Sequence, residues 1–220
     1  MKTKSRAKAK APRKSSAKKS PELVLASQST ARRRLLKRLA PALGLEFKVM
    51  PAHIDEKAVE RMIKDPRALV LELSKRKAWA VQEKRPGRVV IGSDQVLVCQ
   101  GRIFGKPLTK EKACAQLRAS SGKTLSLLTG VCVIDSAGRE DSFVQETRLQ
   151  FRKLSSQEIT DYVEFDKPLD CAGSFKFESR GISLFEGVAT DDPTAIEGLP
   201  LMRLSQALRR AIQRYHAENA

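Results

Sequence analysis

Strand-forming and helix-forming segments alternate along this 220-residue sequence, which predicts an α/β fold. Three stretches carry that prediction. Leu23-Val24-Leu25-Ala26 is a short apolar run suited to a central strand, and it passes through a loop of hydroxyls into leucines 35, 36 and 39 at helical spacing. Val89-Val90-Ile91 opens a β-branched run that continues through Gly92-Ser93-Asp94-Gln95 to Val96-Leu97-Val98 and reads as a buried strand. Leu125 to Ile134 and Phe143 to Phe151 read as two long strands joined by a Ser136-Ala137-Gly138 turn.

Taken in order, the first helix has Ser29 or Thr30 as its expected N-cap. Its first turn holds Arg32, Arg33 and Arg34, where the helix dipole disfavours cations by roughly a few tenths of a kcal/mol each. An anion is expected there. Backbone N–H groups, the hydroxyls of Ser27 and Ser29 and the guanidinium of Arg32 or Arg33 would together cradle a di- or triphosphate. The competing reading is arginines solvated on a surface helix. Leu45 to Val49 alternates as a strand with one exposed face, and Asp55-Glu56 follows in a loop. Such acids commonly cap a helix, yet a carboxylate opposite a phosphate cradle also suits a divalent cation.

Asp65-Pro66 opens a second helix, with Asp as cap and Pro at the first position. Its apolar stripe is Val70, Leu73, Ala80 and Val81, and Lys77 falls on that stripe, either snorkelling to solvent or pointing into a cleft. Pro86-Gly87 stops it. In the next strand, an unpaired buried carboxylate would cost on the order of several kcal/mol. Asp94 is therefore expected at a strand end facing a cleft, a cation or a reacting water, the alternative being an Asx turn. Gly101 and Gly105-Lys106-Pro107 form a turn-rich segment that would put a cation near the same strand end. A carboxylate, a carboxamide and a lysine on one rim suit a phosphate-bearing substrate.

Thr109 caps a helix through Ala113, Leu117 and Arg118, ended by Gly122. Ser121-Gly122-Lys123-Thr124 ends like a P-loop, but Leu117 stands where the first glycine belongs, and that motif is excluded. Ser155-Ser156-Gln157-Glu158 is a capping box before Ile159, Tyr162 and Val163. Cys171 to Phe175 and Ile182 to Phe185 read as further strands, with Glu178 in the loop between them. Gly198-Leu199-Pro200 precedes a closing amphipathic helix on Leu201, Leu204, Leu208 and Ile212.

The apolar share of 41% is enough for one core, and the length suits a single domain plus a tail. Of the net charge of +17, residues 1–20 carry nine cations and no acid, leaving +8 for the other 200 residues. Much of the basic character that would suggest a nucleic-acid-binding protein thus resides in the tail. Built of Lys, Ala, Ser and Pro without apolar periodicity, residues 1–20 are expected to be disordered, with residues 21–220 forming the domain. The tail lacks the features of a secretory or transit peptide. It reads either as a loose electrostatic contact for nucleic acid or ribosomes or as a solvated segment. No apolar run is long enough to span a membrane. Cys99, Cys114, Cys132 and Cys171 include no C-x-x-C pair and sit among apolar neighbours, which predicts buried thiols in a reducing cytoplasm. Only His53 and His216 could serve a histidine mechanism, and no nucleophile elbow lies near His53.

Leu25-Ala26-Ser27-Gln28-Ser29 with Arg32-Arg33, and Gly92-Ser93-Asp94-Gln95-Val96 followed by Gly105-Lys106-Pro107, resemble the Maf family of nucleoside triphosphate pyrophosphatases. The resemblance runs from about Leu23 to the C-terminal helix and takes in Asp55-Glu56, Lys77, Ser121-Gly122, Thr129-Gly130, Ala172-Gly173-Ser174-Phe175 and Gly198-Leu199-Pro200. The Ser-Asp-Gln form around Asp94, together with Glu178, resembles the branch acting on 7-methyl-GTP, whereas the dTTP and UTP branch would have Asp-Thr there. The resemblance implies an elongated mixed sheet flanked by helices with a deep cleft, often as a homodimer. It also implies house-cleaning hydrolysis between the α- and β-phosphates with a divalent cation, Mg²⁺ or Mn²⁺. On this reading Asp94 takes a proton from water, while Ser27, Ser29, Arg32, Arg33, Lys77 and Lys106 bind the phosphates. Glu56 helps hold the metal, and Gln95 and Glu178 read the base. The family often carries Pro where this chain has Thr30 and an Arg or an aromatic where it has Ala31, so position 31 offers no side chain for base stacking. A reading from a different class is a non-enzymatic regulator of cell division that binds nucleic acid through the tail.

Overall fold

The structure, a computed structural model, describes residues 20–220, so the tail expected over residues 1–20 lies, but for Ser20, outside the described residues. In chain order the elements are β1 (Leu23–Leu25), α1 (Thr30–Leu39), β2 (Phe47–Val49), α2 (Glu56–Met62), α3 (Pro66–Gln82) and β3 (Val89–Cys99). They continue with β4 (Arg102–Phe104), α4 (Lys110–Ser120), β5 (Thr124–Ile134), β6 (Glu140–Phe151), α5 (Ser156–Asp166), β7 (Phe185–Ala189) and α6 (Leu201–Glu218). The strands form one mixed sheet in the order β2-β1-β3-β5-β6-β7, with β4 added to β3.

The lengths of the strands make a gap beside β3. On one edge β3 pairs continuously with antiparallel β5, from Val90 opposite Ile134 to Val98 opposite Ser126. On its other edge, short parallel β1 covers only Val89 to Ile91, and antiparallel β4 covers only Leu97 to Cys99. Gly92 to Val96 therefore have no strand on that edge among the described residues. Asp94 stands in the middle of this gap, inside the strand and opposite Gly130 of β5. The structure thus corrects two readings of Asp94: it is neither at a strand end nor in an Asx turn. It is a mid-strand residue whose neighbour strand has stopped.

Successive side chains on β3 alternate between two faces. Val90 and Val96 face α3, packing in clusters with Ala78 and Val81 and with Val70. The opposite face carries two separate cores. Ile91, Leu23 and Leu25 pack with Leu35 and Leu36 of α1 and Leu204 and Leu208 of α6. Leu97 and Cys99 pack with α4, α5 and Phe151. Between these cores lie Ser93, Gln95 and Thr129, crossed by the Pro193–Glu197 turn, which inserts Ile196 into one core as Leu199 enters the other. Each such buried leucine or isoleucine contributes roughly 1.5–3 kcal/mol.

Three further expectations need correction. Cys171 to Phe175 and Ile182 to Phe185 are not strands: Ala172–Ser174 and Arg180–Leu184 form 3-10 turns, and only Phe185–Ala189 extends along β6. Gly173 and Ser174 have φ of +76° and +63°, which an extended run cannot contain. The buried position near the end of the α3 stripe is Ala78 rather than Ala80, and Lys77 is itself buried rather than snorkelling to solvent. The second strand begins at Phe47, two residues later than its alternation suggests.

Candidate active site

Glycines set the height of α3 above the gap. A Cβ on Gly130 would stand 2.3 Å from the Val70 carbonyl oxygen, so only a bare backbone lets α3 lie this close to the sheet. At that height Lys77, on the sheet-facing side of α3, reaches the gap. Its Nζ lies 2.6 Å from Oδ1 of Asp94 and 2.9 Å from Oε1 of Glu56. Glu56 is there because Asp55 caps α2, its side chain accepting the Ala58 N–H at 3.0 Å. Lys77 and Asp94 are each 8% exposed, so the pair is nearly enclosed, whereas Glu56 is exposed. Among the described residues no donor is bonded to Oδ2 of Asp94.

Arg32 closes the other side. Ser29 caps α1, its Oγ accepting the Arg32 N–H at 3.3 Å, so the third helical residue turns back toward the sheet. Nη1 of Arg32 donates to the Ser93 carbonyl oxygen at 2.9 Å. That carbonyl lies just beyond the last β1 ladder bond, Ala26 N–H to Ile91, so the guanidinium takes over where the missing strand would have continued. Arg32 also donates through Nε to the Gly198 carbonyl at 3.1 Å and through Nη1 to Ser27 Oγ at 3.4 Å. Burial pulls the Arg32 pKa below the ordinary arginine value, and the charges of Asp94 and Glu56 act against that pull. Ser27 thus holds Arg32, and Arg32 feels the charges of the two carboxylates that share Lys77.

The other expected site residues lie outside this knot. Gln95 projects to the opposite face of β3, where its Nε2 donates to Thr129 Oγ1 and to the Ala195 carbonyl, both at 2.8 Å. Lys106 is exposed and makes no ion pair or hydrogen bond among the described residues, so its contacts do not tie it to Asp94. Arg33 points to solvent, and Ala31 is partly exposed on α1. Glu178 is exposed and lies 3.7 Å from Arg34, which also pairs with Glu197 at 2.5 Å. Ser93 and Thr129 belong to the stretches that resemble the family, but sequence reasoning gave neither an individual role.

Glu56 and Asp94 share one ammonium, so their oxygens converge within reach of a single cation. Two hard carboxylate oxygens, completed by phosphate oxygens and water, suit Mg²⁺ or Mn²⁺. Among the described residues no group of three or more acidic, histidine or cysteine side chains forms a self-sufficient metal centre.

The chain has relatives among known proteins. Maf-like protein is the family that matches, over residues 22–211. A 7-methyl-GTP pyrophosphatase of Nitrosococcus oceani is 43% identical over 192 residues, which span 87% of this chain and 94% of that protein. Among solved structures, a HAM1 protein from Coxiella burnetii superposes with a TM-score of 0.48 at 16% identity, covering 87% of this chain and all of that one. A nucleoside-triphosphatase (dITP/XTP pyrophosphatase) from Mycobacterium abscessus gives a TM-score of 0.41 at 12% identity, over 90% of this chain and 97% of that one. On the strength of the match across nearly the whole domain, the chain belongs to the family of Maf-like proteins.

Proposed function

We propose that this protein is a nucleoside triphosphate pyrophosphatase that hydrolyses the bond between the α- and β-phosphates of a modified nucleotide, 7-methyl-GTP foremost. The observation that carries the reading is Asp94, an acid held in a strand gap by Lys77 with the Arg32 guanidinium across from it. Support for the substrate comes from the name of the 43% identical relative. Residues 21–220 form the catalytic domain and residues 1–20 a basic appendage. The four cysteines are free thiols, which suits a reducing cytoplasm.

In this reading Oδ2 of Asp94 accepts a proton from water as the water oxygen bonds to the α-phosphorus. The bond from that phosphorus to the bridging oxygen breaks, and pyrophosphate departs with the electron pair. Arg32 and the hydroxyls of Ser27 and Ser29 hold the phosphate chain at the start of α1, where free N–H groups also face an anion. Lys77 keeps Asp94 and Glu56 together and meets the phosphates when they enter. Arg33 and Lys106, both free to swing in from solvent, add charge to the outer phosphates. Glu56 and Asp94 would hold the divalent cation, which supplies neutralisation of the charge on the phosphate oxygens. Gln95, through its amide oxygen, and Glu178 read the base, with Ala31 leaving the base face open.

A panel of canonical and methylated nucleoside triphosphates, assayed for pyrophosphate with and without Mg²⁺, tests this. Methylated GTP is expected to be the best substrate, and Asp94→Asn to reduce its turnover by about 10²–10⁴-fold while the fold is retained. Unchanged turnover in that variant removes Asp94 from the mechanism.

A further inference from the structure

Two carbonyls at the turn that crosses the seam between the cores each accept two side-chain hydrogen bonds, three of the four donors coming from the sheet and one from α1. Ala195 O accepts from Gln95 Nε2 at 2.8 Å and from Thr129 Oγ1 at 3.2 Å. Gly198 O accepts from Ser93 Oγ at 3.0 Å and from Arg32 Nε at 3.1 Å. Ser93 and Thr129 are wholly buried, and the Ser93 hydroxyl is spent on the Gly198 carbonyl rather than offered to a ligand.

What this arrangement fixes is Arg32. Its Nε–H goes to Gly198 and one Nη1–H to the Ser93 carbonyl, two bonds that set the plane of the guanidinium and leave the two Nη2 donors uncommitted. Gly198 can come this close because it has no side chain: its φ is +101°, and a Cβ would stand 3.0 Å from Arg32 Nε. The freedom of a long arginine is thereby given up on folding rather than on binding, which strengthens any contact that Nη2 makes with a phosphate.

We propose that Ser93 is a positioning residue: its hydroxyl holds the Gly198 carbonyl, and that carbonyl aims Arg32 at the triphosphate. The inference rests on the pyrophosphatase reading for its substrate, but not for its test. Ser93→Ala, Arg32→Ala and the double variant are compared in two assays. The first measures kcat and KM for pyrophosphate release from 7-methyl-GTP, and the second measures calorimetric binding of inorganic tripolyphosphate, which needs no turnover. Ser93→Ala is expected to lower kcat/KM and tripolyphosphate affinity by about tenfold when Arg32 is present and to change neither in the Arg32→Ala background. Its effect on the thermal midpoint is expected in both backgrounds. Equal losses in both backgrounds, or no binding of tripolyphosphate by the unaltered chain, overturn the proposal. If the unaltered chain releases no pyrophosphate from any nucleotide, the functional reading falls, and the tripolyphosphate measurements still decide the role of Ser93.

Discussion

Gly92 lies directly beneath Ser74, so close that a Cβ on the glycine would stand 2.1 Å from the Ser74 carbonyl oxygen and 2.7 Å from the Ala78 amide nitrogen. Both are helix backbone and cannot swing aside. Gly92→Ala must lift α3, and with it Lys77, away from Asp94 two residues further along the same face. Overpacking of this kind costs about 1–3 kcal/mol or more. The variant is expected to unfold at lower denaturant with an unchanged slope and to lose pyrophosphatase activity out of proportion to the remaining folded fraction. Full activity per folded molecule would show that the height of α3 does not set the site.

Lys77 itself carries a second prediction. Its ammonium separates two carboxylates that would otherwise face each other, and both it and Asp94 are nearly enclosed. Removing one partner of a buried pair typically costs ~3–5 kcal/mol, and the solvent exposure of Glu56 tempers that to about 3. Lys77→Met is expected to lose this much in chemical unfolding and to respond more strongly than the unaltered chain to added Mg²⁺, because a divalent cation then takes the place of the ammonium between the carboxylates. A Lys77→Met protein as stable as its parent, with no added response to Mg²⁺, would contradict this.

The pattern of the sequence carried the elements well and their assembly less well. Capping at Asp65, Thr109 and Ser155 is local chemistry, decided within four residues, and those helices start where their caps predict, while the first helix takes Ser29 of the two expected candidates. The two 3-10 turns read as strands fail for a reason the pattern does not hold, since Gly173 turns left-handed against Leu97, which lies far away in the chain. Lys77 and Asp94 were each legible as odd residues on an apolar face. Their meeting depends on Gly92 and Gly130 beneath α3, and the gap around Asp94 depends on where β1 and β4 stop. Those are long-range facts. Ser93 stood in a recognisable motif, but its own task was not legible, because a small buried hydroxyl looks like any other strand residue until its acceptor, 105 residues away, is in place.

Glu158 offers a test by pH, away from the site. In the capping box of α5 its carboxylate accepts the Ser155 N–H at 2.8 Å and also meets Arg152, and these bonds push its pKa down to about 2. A group whose folded pKa is depressed favours the folded state above its unfolded pKa, near 4.5, and that contribution is lost as pH falls through the folded value. The stability of the protein is therefore expected to fall between pH 4.5 and about 2 partly through Glu158. Glu158→Gln, which keeps the shape but not the titration, is expected to flatten acid unfolding followed by circular dichroism over that window. Identical acid profiles for the two proteins would mean that the box does not hold this proton equilibrium.

On the proposed reading, base selection is expected to depend on the charge around Arg34. Its guanidinium pairs with Glu197 at 2.5 Å and lies 3.7 Å from Glu178, so Glu197 takes up most of its charge and Glu178 keeps a carboxylate for another cation. A 7-methylated guanine is such a cation, while the bases of GTP and dTTP are neutral. Glu178 and Glu197 are both partly exposed, which holds the preference to roughly 1 kcal/mol, or about fivefold in KM. Glu178→Ala is expected to raise KM for 7-methyl-GTP by that factor and to leave dTTP unaffected. Gln95→Ala is expected to slow both substrates, because its amide also ties down the Ala195 carbonyl. Steady-state kinetics on the two nucleotides separate these outcomes, and an equal rise in KM for both substrates in Glu178→Ala would take that carboxylate out of base recognition.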